Sequence, residues 1–164
     1  MENAKQLPAY RKLAEKFDAL DYRIATFMRS WGTLALRVSL AVIFVWFGLL
    51  KPLGLSPAEP LVAATVVWLP VLESGQWVAV IGWWEVAIGL TFLSRRTIRL
   101  AIALLALQMG GTFLPLVMLP GVTFQEGMFP YGPTVEGQYI IKNLIIISAA
   151  LVVGGTVRGE KPKP

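Results

Sequence analysis

The chain contains neither cysteine nor histidine. Without thiols it has no disulfide and no thiolate chemistry, and without imidazole it lacks the ligands of the usual haem, zinc and copper sites; iron–sulfur clusters are excluded as well. A Ser-His-Asp triad is impossible, and no glycine-rich phosphate loop is present. No metal-bound or covalent cofactor is therefore expected. Charge is also scarce: Asp, Glu, Lys and Arg make up 15% of 164 residues, against 55% hydrophobic residues and a mean hydropathy of +0.62. That balance is too apolar for an ordinary soluble domain, and several long apolar runs point to the bilayer. The net charge of +5 would suit nucleic acid, but the basic residues follow membrane sidedness. Lipid is the expected partner, and no nucleic acid is.

Residues 1–32 form the one substantial stretch of soluble character. Leu13, Phe17, Leu20, Ile24, Phe27, Met28 and Trp31 recur at three- and four-residue steps, with Arg11, Lys12, Lys16, Asp18, Arg23 and Arg29 largely between them. This is an amphipathic helix suited either to the membrane surface or to a partner subunit. The first apolar run begins only after Gly32, which argues against a signal peptide.

Four spans are expected in residues 33–155. The first, about Thr33 to Gly54, carries Arg37 near its start and Lys51 near its end, both within snorkelling reach of an interface. Ser56 to Leu72 is too short to cross and reads as an interfacial or re-entrant helix on the outer face, with Ser56 as N-cap and Pro57 at its first position. The second span, Gln76 to Arg96, holds one acid, Glu85, and has Gly82 and Gly89 seven residues apart on one face. The third, Ile98 to Leu119, includes Gln108, Gly110, Gly111, Thr112 and Pro115, so a polar, kinked middle close to neighbouring backbones is expected. A Gly- and Pro-rich loop, residues 120–137, places Phe124, Phe129 and Tyr131 at the headgroup level, and the fourth span runs from Gln138 to Gly155. A basic tail, residues 156–164, follows.

Lys5, Arg11, Lys12, Lys16, Arg23 and Arg29 precede the first span, Arg95, Arg96 and Arg99 join the second to the third, and Arg158, Lys161 and Lys163 follow the fourth. The opposite connections carry Glu59, Glu73, Glu126 and Glu136. By the positive-inside rule both termini are cytoplasmic. The fold expected is all-α: an integral membrane four-helix up-down bundle with an N-terminal amphipathic cytoplasmic helix and a short outer-face helix.

In that topology Glu85 shares the outer leaflet with Lys51 and Lys142, which could hold it ionised as a three-residue cluster. One reading is an ion pair that sets helix register; another is a pocket lined by Trp83, Trp84, Gln108, Thr112 and Trp46. Such a pocket would accept a quinone head, with Lys51 or Lys142 donating to a carbonyl and Glu85 exchanging a proton, or else a lipid head group.

The sequences GLLK at Gly48 to Lys51, SPAEPLV from Ser56, GWWE at Gly82 to Glu85 with Gly89, and GQYIIKNL at Gly137 to Leu144 resemble the DoxX family of small four-helix membrane proteins and its YkgB-like relatives. The resemblance covers about Thr33 to Gly155 and implies a bacterial or archaeal inner-membrane protein. In some members it implies a subunit linked to thiosulfate:quinone oxidoreduction, and in others a component of redox assemblies. The positions it carries over are Lys51, Glu85, Lys142 and Asn143. Two functions stay open: a quinone-interacting subunit of an oxidoreductase, whose partner supplies the electrons, and a structural or assembly subunit with lipid in the pocket. A small transporter is a third, disfavoured by the lack of an internal repeat. Other subunits or further copies of the chain are the expected protein partners.

Overall fold

A computed structural model describes residues 8–69 and 71–157. Lys5, Pro70 and the basic tail beyond Val157 lie outside the described residues. All named elements are helical: α1 (Pro8–Leu50), α2 (Glu59–Val66), α3 (Ser74–Leu93), α4 (Ile98–Phe113), α5 (Pro115–Met118), α6 (Pro120–Thr123), α7 (Val135–Ile141) and α8 (Asn143–Gly155). Four stretches are long and apolar enough to cross a membrane: Tyr10–Leu50, Ser74–Leu93, Ile98–Met118 and Val135–Gly155. The amphipathic stretch and the first span, expected as separate elements, are one helix without a break at Gly32. A single internal glycine costs only about 1 kcal/mol, which a helix of this length absorbs.

Two compact units divide between Ala35 and Leu36. In the first, the side chains from Tyr10 to Trp31 are exposed apart from the partly covered Ala14.

Within the second unit, local chemistry sets the helix ends. The short helix starts at Glu59 rather than Pro57, with Ser56 Oγ instead accepting the Ala58 N–H at 3.3 Å. A start at Pro57 would put Pro60 at the fourth position, where the first intrahelical N–H is needed and proline has none. α3 is fixed by Gln76, whose Oε1 accepts the Glu73 N–H at 3.1 Å, a reciprocal cap across the first turn. The third span breaks at Leu114, directly before Pro115, and the fourth at Lys142. The segment between these spans is ordered: Gln125 donates to Gly132 at 2.8 Å, and Thr134 Oγ1 to the Val122 carbonyl at 2.7 Å. Phe124 is buried edge-on against Phe129, ring centroids 4.9 Å apart, while Phe129 and Tyr131 are exposed.

One apolar core draws Leu40, Ala41 and Phe44 from α1, Ile88 and Phe92 from α3, Leu105 and Met109 from α4, and Ala150 and Val153 from α8. Lipid is as apolar as these side chains, so close van der Waals fit, rather than removal from water, holds them together. The fit between α1 and α3 depends on three glycines. A Cβ on Gly48 would lie 2.8 Å from the Gly82 carbonyl oxygen, one on Gly82 would lie 2.7 Å from the Gly48 carbonyl oxygen, and one on Gly89 would lie 2.8 Å from the Ala41 carbonyl oxygen. Gly110 and Gly111 do not act this way, because nothing lies within 4 Å of a Cβ built on either. They fall on a face of α4 that no neighbour approaches.

Arg37 is buried, and its Nε donates to the Phe92 carbonyl at 3.1 Å while one terminal guanidinium nitrogen, Nη2, donates to the Leu93 carbonyl. It therefore caps α3, placing a cation on the negative end of the helix dipole instead of snorkelling away. Arg37→Met should lower the unfolding free energy by about 1.5–3 kcal/mol through loss of charged hydrogen bonds, and Arg37→Lys by less, as read by reversible unfolding in mixed micelles.

Candidate functional site: a carboxylate held between three helices

The site begins with two similar turns. Gly48 precedes Lys51 by three residues, and Gly82 precedes Glu85 by three, so each charged side chain leaves its backbone one turn beyond a glycine. The glycines let the backbones of α1 and α3 touch. That contact brings Lys51, in the turn after α1, against Glu85 in the middle of α3.

Lys51 Nζ donates to Glu85 Oε2 in an ion pair whose side chains are 8% and 13% exposed. The other carboxylate oxygen, Oε1, accepts from Gln108 Nε2 on α4 at 3.0 Å. The carboxylate thus bridges three segments of the chain, with a donor on each oxygen. At low effective dielectric this attraction is far stronger than at a surface, and it offsets the cost of desolvating both ions only because the hydrogen bonds are made. One turn on, Thr112 Oγ1 donates to the backbone carbonyl of Gln108 at 2.9 Å. Trp84, beside Glu85, donates its indole N–H to the Leu104 carbonyl at 3.2 Å and packs on the core. These contacts tie α3 to α4 on either side of the carboxylate.

The three-residue Lys51, Glu85, Lys142 cluster does not form. Lys142 is exposed, with its ammonium 5.5 Å from the centre of the Tyr139 ring. The reason is rotational. Gly137 and Ile140 face inward, and two further residues at about 100° each carry Lys142 to the opposite side of the helix. Asn143 uses its side-chain amide on the Tyr139 and Ile140 carbonyls, at 3.0 and 3.1 Å, bridging the break between α7 and α8. Trp46 and Trp83 are exposed and line nothing around Glu85. The structure therefore brings together Lys51, Glu85 and Gln108, with Trp84 alongside, and leaves out Lys142, Asn143, Trp46 and Trp83. Gln108 supplies the second donor expected from Lys142. The contribution of Gly48 to this geometry was not anticipated; its signal in the sequence is the repeated spacing of a glycine one turn before each charge.

Chemically, the arrangement is a carboxylate, an ammonium and an amide donor converging at one point in an apolar setting. Among the described residues no cluster of side chains could hold a metal ion. No family model, curated protein or solved structure matches the chain.

Proposed function

We propose that the chain is a membrane subunit of a respiratory or sulfur-linked oxidoreductase assembly and that its Lys51, Glu85 and Gln108 network interacts with the head of a quinone. The observation that carries this reading is the convergence of two donors on one ionisable carboxylate inside an apolar helix packing. A quinone carbonyl needs a hydrogen-bond donor, and its two-electron reduction consumes two protons; Lys51 or Gln108 can donate, and Glu85 can take up protons from water one at a time and pass each to a quinone oxygen, returning to the carboxylate after each transfer. Electrons must come from a partner subunit, because the chain has no Cys or His to hold a redox metal. The DoxX-like pattern of GLLK, GWWE and GQYIIKNL supports the same assignment and, with it, an up-down four-helix bundle in a bacterial or archaeal inner membrane. Basic residues flanking the spans support cytoplasmic termini.

Glu85→Gln keeps the shape and the Gln108 contact but cannot exchange a proton. In the intact assembly it should reduce quinone-dependent turnover by at least about 100-fold, the contribution typical of a positioned general acid or base, with insertion unchanged. Normal turnover in Glu85→Gln would rule the reading out.

One feature favours a second reading, a non-catalytic subunit in which the network sets helix register and lipid fills the surroundings. Both carboxylate oxygens already hold a donor, and the flanking glycines close the backbones around the pair. Here Glu85→Gln would leave turnover intact, while deletion of the chain would disrupt the assembly.

A further inference from the structure

From Tyr10 to Leu34 eight large apolar residues of α1 follow alternating steps of three and four, Tyr10, Leu13, Phe17, Leu20, Ile24, Phe27, Trp31 and Leu34, with Met28 beside the stripe and Tyr22 on the opposite face. All eight are exposed. This is a strict seven-residue repeat over three and a half heptads, with leucine at three of the four d positions and Ile24 at an a position.

The repeat suits a second helix. A straight helix has 3.6 residues per turn, so a stripe with period 3.5 drifts about 20° per heptad across its surface, and a partner helix follows that drift by supercoiling. Charge points the same way. Residues 8–32 carry Arg11, Lys12, Lys16, Arg23 and Arg29 against Glu15, Asp18 and Asp21, five positive and three negative, so the net +2 is a weak lure for anionic lipid. The flanks of the stripe are specific instead. Lys16 stands at a g position and Asp21 five residues later at an e position, the pair that meets across a parallel two-stranded coiled coil. An antiparallel arrangement would set Lys16 against Arg23 in one register, or Asp21 against its own counterpart in the register a heptad away. Copies of one membrane chain share one sidedness, so their N-terminal segments emerge on the same side and run in the same direction.

We infer that residues 10–34 form a parallel coiled coil with a second copy of this chain, with Lys16 of each copy facing Asp21 of the other. This inference is independent of the redox reading.

The cysteine-free sequence permits a direct test in the full chain reconstituted in liposomes. Leu20→Cys and Phe27→Cys place a thiol in the seam, and Tyr22→Cys places one at the outer f position. Mild oxidation should convert most of each seam variant, and little of Tyr22→Cys, to disulfide-linked dimer. In the Leu20→Cys background, Lys16→Glu should lower the dimer yield a few-fold, and adding Asp21→Lys should restore it. Equal cross-linking at all three positions, or none in the seam variants, would overturn the inference. Seam thiols shielded from maleimide but never cross-linked would overturn it in favour of lipid or a different protein.

Discussion

Replacing Lys51 with methionine is expected to destabilise the second unit by about 3–5 kcal/mol, the range for removing one member of a buried ion pair. The side chain is of similar length and remains apolar along its stem, so the loss comes from leaving Glu85 with its Oε2 unpaired in a largely dry setting. Glu85→Gln should cost less. It leaves a neutral amide in place of the carboxylate, whose oxygen can still accept a hydrogen bond from Lys51 or Gln108. The order Lys51→Met worse than Glu85→Gln is checked by reversible unfolding in mixed micelles. Equal stability of Lys51→Met and the parent chain would mean that the pair contributes no more than an exposed one.

The second large effect is expected at Gly82. A methyl group there meets the Gly48 carbonyl oxygen and the Pro52 Cδ at 2.7 Å and the Lys51 Cβ at 2.8 Å. Two of those neighbours are a backbone atom and a proline ring, which cannot rotate aside, so α1 and α3 must separate. Gly82→Ala should destabilise by about 1–3 kcal/mol and Gly82→Leu by more. Because the separation also draws Lys51 from Glu85, the cost of Lys51→Met should shrink in the Gly82→Leu background. Gly111→Ala provides the contrast: its Cβ meets nothing, and replacing a helical glycine by alanine there should stabilise by about 0.4–1 kcal/mol. A destabilised Gly111→Ala together with a neutral Gly82→Ala would contradict the packing described.

The difference between these two glycines also marks how far the sequence could be read. Length and hydropathy indicated four crossing stretches because a helix needs a fixed length of predominantly apolar residues to traverse hydrocarbon, and that length is visible in Thr33 to Gly54 or Gln138 to Gly155 without any knowledge of neighbours. The match of Lys51 with Glu85 was legible for a related reason: depth along a helix follows from counting at 1.5 Å per residue. Rotation about the axis was not legible. Lys142 lies at a suitable depth yet faces outward, as do Trp46 and Trp83, and Gly110 and Gly111 turn toward open space. When nearly every residue of a span is apolar, no polar stripe reports which side faces the protein. The later start of α2 was in principle accessible, since Pro60 forbids the hydrogen bond that an earlier start requires. Arg37 combines both limits: its depth suggested an interfacial cation, and only the end of α3 beside it reveals a cap.

The most direct test of the Lys51 and Glu85 pairing is a double-mutant cycle on unfolding free energy, comparing the parent chain, Lys51→Met, Glu85→Gln and the double variant. A buried, hydrogen-bonded ion pair predicts that the double variant is more stable than the sum of the two losses allows, with a coupling energy of at least about 1 kcal/mol. Additive losses, with coupling indistinguishable from zero, would contradict it.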